Sequence, residues 1–160
     1  MMKPIGVQLS RRRTLALLGT VPLVVGRALA ASTLPEVIVH RDPSCGCCGA
    51  WVEHLRRAGF SVKIVETGNL YAIKQRLGVP SDLISCHTAE VVGYVVEGHV
   101  PAGAIHRLLA AKPSAVGLAV PGMPIGSPGM EGGAPDAYEV LLFGHQGRQI
   151  FARYLGDREL

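Results

Sequence analysis

The stretch Val37-Ile38-Val39-His40-Arg41-Asp42-Pro43-Ser44-Cys45-Gly46-Cys47-Cys48-Gly49-Ala50-Trp51-Val52-Glu53-His54-Leu55 runs from a β-branched segment through a turn into a helical pattern. Val37-Ile38-Val39 reads as a strand. Arg41 to Ser44, with its Asp-Pro pair, breaks that strand. Trp51, Val52 and Leu55 then recur at helical spacing until Gly59 stops them. Three of the four cysteines of the chain fall at this strand-to-helix junction. Cys45 and Cys48 form a C-x-x-C pair there, and Cys47 is a third thiol inside it.

Working outward, Phe60 to Val65 alternates as a second strand, and Tyr71 to Leu77 is a second helix closed by Gly78 and Pro80. Thr88 to Glu97 predicts two short strands joined at Gly93-Tyr94. Pro101 opens a helix that runs to Ala111 and ends at Lys112-Pro113. Gly117 to Pro135 is rich in Gly and Pro and predicts a loop. Tyr138 to Phe143 and Gln149 to Tyr154 predict a hairpin about His145-Gln146-Gly147. The order β-α-β-α-β-β-α, with a loop and a C-terminal hairpin, predicts a thioredoxin-like α/β fold.

The N-terminal residues follow a different logic. Met1 to Arg13 is basic, Leu15 to Val25 is apolar, and Ala28-Leu29-Ala30 offers small residues for cleavage. A spanning helix needs about 20 apolar residues, so this order reads as a secretory signal over residues 1–30. Arg11-Arg12-Arg13 before Thr14-Leu15 has the form of a twin-arginine leader; an ordinary secretory leader is the alternative. The domain proper is then residues 31–160, placed in the oxidising periplasm with no stable membrane insertion. Five of the 16 Lys and Arg lie in the leader, and none of the 12 Asp and Glu does. The remaining 11 bases against 12 acids leave a net charge of −1. No basic footprint for nucleic acid remains.

The helix start explains why thiols belong at this junction. Unpaired backbone N–H groups and the positive end of the helix dipole favour thiolate over thiol. A thiolate serves both disulfide exchange and metal ligation, so C-x-x-C alone leaves both open. Cys47 adds a thiol that a redox pair does not need, and a disulfide between adjacent residues is strained. Gly46 and Gly49 are expected to let the backbone turn so that all three sulfurs face one point. Cys86 directly precedes the third strand, and a thioredoxin-like topology packs that loop against the C-x-x-C helix start. Cys45, Cys47, Cys48 and Cys86 are the predicted metal ligands. Four converging thiolates suit Cu(I) first and zinc second. Two structural disulfides are the plain alternative.

His87 adjoins Cys86 and is an additional candidate ligand, and His40, at the end of the first strand, is a candidate neighbour. Met123 lies in the Gly/Pro loop, where a thioether could cover a Cu(I) site or simply plug the core; Met130 reads as a plug. His54 lies seven residues after Cys47, roughly 10 Å along the axis, and is assigned to packing beneath Trp51. His99 reads as a turn or helix-cap residue, and His106 and His145 as solvent-facing. No phosphate-cradling loop or nucleophile elbow occurs, and the chain reads as a metal-binding protein rather than an enzyme.

Cys45-Gly46-Cys47-Cys48 with Trp51, Cys86-His87-Thr88-Ala89, Gly98-His99-Val100-Pro101-Ala102 and Gly122-Met123-Pro124 together resemble the bacterial periplasmic CopG-like copper-resistance family. The resemblance runs from about Glu36 to Tyr154. It implies a thioredoxin-like fold, a periplasmic location and copper binding, with copper ions and other periplasmic copper-handling proteins as partners. The departure from thioredoxins is Cys86-His87, where those enzymes place a cis-proline. A thiol–disulfide oxidoreductase using Cys45 and Cys48 is the alternative function.

Overall fold

β1 (Val37–Arg41) forms at the predicted β-branched run, and the computed structural model describes the chain from there on, over residues 34–160. The expected leader over residues 1–30 lies outside the described residues. α1 (Gly46–Arg57), β2 (Val62–Glu66), α2 (Leu70–Arg76), β3 (Thr88–Val91), β4 (Tyr94–Glu97) and α3 (Ala102–Ala111) follow in the expected order, with a 3-10 turn at Ser81–Leu83. The mixed α/β class is borne out. After α3 come β5 (Gly117–Ala119), β6 (Ala137–Gly144), β7 (Gly147–Leu155) and β8 (Arg158–Glu159).

All eight strands join one sheet in the order β2-β1-β3-β4-β5-β6-β7-β8. β1 pairs parallel with β2, and β4 with β5; the other pairings are antiparallel. β5 corrects the loop expected over Gly117 to Pro135. Its three residues are all buried, and they stitch the C-terminal strands to β4. A three-residue strand is too short to show a period of two, so composition masked it. β8 extends the expected hairpin by two residues.

Side chains alternate across a strand, so each strand feeds both faces of the sheet. Val37, Val39, Ala89 and Val96 face α1 and α3, where Trp51, Leu55, Ile105 and Leu108 complete the main core. Val95, Ala119 and Phe143 pack instead with Val79 and Leu83, on the α2 side. Trp51 is fully buried and donates its indole N–H to Val100 O at 2.9 Å. That bond ties the first helix to the segment entering α3.

The β3–β4 connection is a two-residue turn, Val92-Gly93, with φ of +48° and +83°. Positive φ at both positions is what a type I′ hairpin turn requires. The turn lies one residue before the expected Gly93-Tyr94, because Val92 adopts a conformation that a β-branched side chain rarely enters.

Gly98 follows β4 with φ of +71°. A Cβ there would lie 2.5 Å from Ser85 Oγ and 2.6 Å from Val120 O. Gly98→Ala is therefore expected to cost about 1–3 kcal/mol from the backbone alone, with the clash in addition. Thermal unfolding of the variant beside the parent protein checks this; an unchanged Tm would mean the contact does not exist.

Candidate metal centre

An Asp-Pro-Ser turn delivers the first thiol. Asp42 Oδ1 accepts from Ser44 N at 2.8 Å, and Cys45 N donates to Asp42 O at 3.1 Å. This is the local hydrogen bonding that makes Asp a turn former. Cys45 becomes the N-cap of α1, with extended backbone and no side-chain cap. Arg41, bridged to Glu66 at 2.8 Å, donates to Cys45 O at 3.1 Å and pins the turn to the sheet. His54, Arg56 and Arg57 occupy the last turn of α1, where cations suit the negative end of the dipole.

Gly46 and Gly49 lie inside α1 and do not form the tight turn expected of them. Helical winding brings the sulfurs together instead. Cys45 and Cys48, one helical turn apart, are joined as a disulfide, while Cys47 and Cys86 are free thiols. Cys47 Sγ lies 3.5 Å from Cys45 Sγ and 3.8 Å from Cys86 Sγ. The ligand atoms of all four cysteines fall within 4.8 Å of one another. The predicted convergence of the loop before β3 on the start of α1 is thus present in the geometry.

A second group overlaps the first at Cys86. Cys86 Sγ is 3.2 Å from His87 Nδ1 and 2.9 Å from His99 Nε2. His99 Nδ1 donates to Pro128 O at 2.8 Å. That bond assigns the proton to Nδ1 and leaves Nε2 to accept from the Cys86 thiol. Burial, and then the neighbouring Cys47, push the Cys86 thiol up to about 12. Burial likewise holds His87 well below the usual imidazole range, aided by His99 and Lys74, and lowers His99. Cys86, His87 and His99 are therefore neutral, desolvated donors in the absence of a cation. His87 is fully buried, its ring 4.3 Å from that of Trp51, and its Nε2 has no hydrogen-bond partner among the described residues. Sulfur and unprotonated imidazole nitrogen are the donors a soft or borderline metal takes.

His99 lies in the bend between β4 and α3, as a turn residue would, but its ring belongs to the cluster and does not cap α3. The hairpin explains why. Thr88 opposes Glu97, so the same register continued by two residues sets Cys86 opposite His99. A turn displaced by one residue shifts that partner by two, from His99 to Pro101. The cap role falls to His54, whose Nε2 accepts from Ala102 N at 3.0 Å at the start of α3. His54 is thus outside the cluster as expected, but it is His87, not His54, that packs against Trp51. His40 bonds Glu90 through Nε2 at 2.8 Å. Its cross-strand partner is Thr88, so it lies on the α2 face of the sheet, opposite the face that His87 enters. His106 is half-buried, its ring centroid 4.7 Å from that of Phe60, while His145 is exposed.

The loop after β5 closes over α1. Gly129 has φ of +88°, and a Cβ on it would lie 2.7 Å from Cys47 O and 2.8 Å from Trp51 N. Only glycine lets Pro128 O reach His99. Met123 is 52% exposed; its neighbour Gly122 accepts a hydrogen bond from Ser85, the residue before Cys86. The thioether stands at the solvent edge of this loop, while Met130 is half-buried in it.

Fold and cluster together define a class: an α/β domain that gathers sulfur and imidazole donors at the start of its first helix, the chemistry of a thiol-based metal or redox centre. Residues 83–130, which carry Cys86, His87, His99 and the covering loop, match the family described as "Protein of unknown function, DUF411". Two solved structures are similar over nearly their whole length. One is a "Copper resistance protein CopG", form 2, at 46% identity, covering 76% of this chain and 98% of that one with a TM-score of 0.71. The other is form 1, also at 46% identity and a TM-score of 0.71, covering 77% and 99%. No curated protein matches the chain significantly. The chain belongs to the CopG-like copper-resistance family. Among the described residues no helix is long and apolar enough to cross a membrane.

Burial gives the metal-free protein a pH dependence of definite sign. His54, His87 and His99 all titrate below their ordinary 6.5 in the folded state. Below that pH the unfolded chain binds more protons than the folded one, so stability falls with falling pH. Metal-free protein is expected to keep its Tm above about pH 7 and lose it steadily below 6.5. His87→Phe should flatten that slope; an equal slope in melts of both proteins would exclude His87 as a source.

Proposed function

We propose that this chain is a periplasmic copper-binding protein with a thiolate-rich Cu(I) site, acting in copper resistance by sequestering, passing on or changing the oxidation state of copper. The observation that carries the proposal is the convergence of four cysteine sulfurs within 4.8 Å, with His87 and His99 on Cys86. Thiolate clusters select Cu(I) over the harder divalent ions, and zinc is the second choice. The family relationship supports copper over zinc. The basic and apolar N-terminal residues support export. Other periplasmic copper-handling proteins are the natural donors and acceptors.

Copper is the cargo, and Cys45, Cys47, Cys48 and Cys86 hold it. His87 is an additional donor, and the unpredicted His99 joins it. Met123, exposed at the edge of the loop, is a further candidate donor. All four thiolates are available only when the Cys45–Cys48 pair is reduced. The pair also supplies electrons. Two Cu(II) ions taking one electron each from the Cys45 and Cys48 thiolates would give two Cu(I) and the disulfide, with Cys47 and Cys86 as the thiolates that remain to hold the metal. Binding releases the proton of the Cys86 thiol, so affinity rises with pH.

A second reading rests on the disulfide itself. A thiol–disulfide oxidoreductase would use Cys45 as nucleophile, since it caps the helix, and Cys48 as the resolving thiol.

Anaerobic reduction, loading with Cu(I) and determination of copper and thiols separate the two. Bound copper with four thiols recovered after its removal is the expected result. Cys86→Ser should weaken Cu(I) by more than the about 10- to 100-fold typical of losing a ligand's hydrogen-bond partner. Unchanged copper stoichiometry in Cys86→Ser would overturn the site. Disulfide exchange that needs Cys45 and Cys48, tolerates Cys86→Ser and proceeds without copper would establish the second reading.

A further inference from the structure

Glu97 has no solvent exposure and Lys74 has 4%, yet both are charged side chains. They meet at 2.5 Å between Lys74 Nζ and Glu97 Oε1. Two charges taken out of water lose much of their hydration, and an apolar pair of similar volume often does as well for stability. Stability alone therefore gives a weak account of this pair. Its remaining bonds indicate a different role. Glu97 Oε1 accepts from the backbone N of Ser85 at 2.6 Å, and Oε2 accepts from Thr88 Oγ1 at 2.7 Å. Lys74 Nζ also donates to Thr88 Oγ1, at 2.8 Å. Ser85 and Thr88 bracket Cys86-His87. One carboxylate thus grips the backbone before the cysteine and the side chain after the histidine.

The structure assigns to Glu97, held by Lys74, the role of positioning residue for Cys86: it fixes the Ser85–Thr88 segment so that Cys86 Sγ stands against Cys47. The metal role of that contact rests on the copper reading above; the positioning itself does not. Lys74 comes from α2, Glu97 from β4 and Thr88 from β3, so three elements outside α1 hold the segment that carries Cys86. Ser85 is only half-buried. Without Glu97 its N–H can turn to water, and the segment can relax without unfolding the domain. A metal site tolerates little of that, because ligands must be held within fractions of an ångström.

The test uses variants that keep the site's own residues. Lys74→Met/Glu97→Leu replaces the pair by apolar side chains and removes the acceptor for Ser85 N. Lys74→Met/Glu97→Gln also removes both charges but keeps an amide oxygen for Ser85 N. Protein carrying the Cys45–Cys48 disulfide has only Cys47 and Cys86 free. A bifunctional bimane that fluoresces only after both arms have alkylated therefore reports their proximity without copper. Cu(I) affinity is measured separately, by competition with a colorimetric chelator on fully reduced protein.

Lys74→Met/Glu97→Leu is expected to melt at or above the parent Tm, cross-link at least tenfold more slowly, and bind Cu(I) about 10- to 100-fold more weakly, the usual cost of losing a group that orients a ligand. Lys74→Met/Glu97→Gln should restore cross-linking to near the parent rate. A folded Lys74→Met/Glu97→Leu that cross-links as fast as the parent overturns the assignment, whatever its copper affinity. If that variant does not fold, the Gln variant decides: slow cross-linking in a folded Lys74→Met/Glu97→Gln, with the acceptor intact, also overturns it. Slow cross-linking of the Leu variant in a parent protein that holds no copper keeps the positioning role and removes the copper reading.

Discussion

The Val92-Gly93 turn decides what faces what at the centre of this domain. A two-residue connection with positive φ at both positions leaves the paired strands no freedom of register. Thr88 must then stand opposite Glu97. The same count, carried past the strand ends, sets His87 against Gly98 and Cys86 against His99. Gly98 N does bond His87 O at 3.0 Å, and the Cys86–His99 contact closes the series. The carboxylate that grips the Cys86 segment and the imidazole that meets its sulfur therefore come from one arm of one hairpin. Moving the turn by a single residue would separate both from their targets.

That same turn marks the limit of what the sequence makes legible. Val37-Ile38-Val39 and the Trp51, Val52, Leu55 spacing announce β1 and α1, because one burial pattern repeats over several residues in each. The proximity of Cys86 to Cys45, Cys47 and Cys48 follows from topology, which needs only the order of elements. His99 needs register, and register depends on knowing which residue enters the left-handed region. Gly93-Tyr94 looks the better turn on propensity; Val92-Gly93 forms because the sheet pairing on both sides outweighs the local cost at Val92. His54 fails to be legible for another reason. Its role is to accept from Ala102 N, forty-eight residues on, and nothing in helical periodicity carries that information. β5 is lost to composition: three buried residues in a Gly/Pro-rich segment offer no pattern to count.

The centre concentrates buried polarity in a domain whose core is otherwise mostly Val, Leu, Ile and Ala with a few aromatic rings. His87, His99, Thr88, Glu97 and Lys74 are all buried within or beside it. Desolvation acts on the two kinds of donor in complementary ways. It lowers the imidazoles of His87 and His99 and raises the thiol of Cys86, so these three donors are uncharged in the metal-free protein. The nitrogen lone pairs are ready for a cation without proton loss, while the Cys86 sulfur must give up a proton to bind. Burial of this kind is tolerable because nearly every polar atom has a partner: Pro128 O for His99, Val100 O for Trp51, and the Lys74–Glu97–Thr88 set beneath the cysteine segment. His87 Nε2 is an exception, and it lies within the residue that touches both Trp51 and Cys86.

The contact of Pro128 O with His99 has a consequence in time rather than space. The thiols at positions 45 to 48 exist as soon as the chain leaves the ribosome, but the carbonyl that fixes the His99 proton lies eighty residues later. Between them the polypeptide must complete a parallel crossover, a hairpin and a helix, the kind of long-range closure that makes chains fold slowly. The full set of contacts about Cys86 and His99 exists only after the last of this loop has docked, so the complete geometry is a late product of folding.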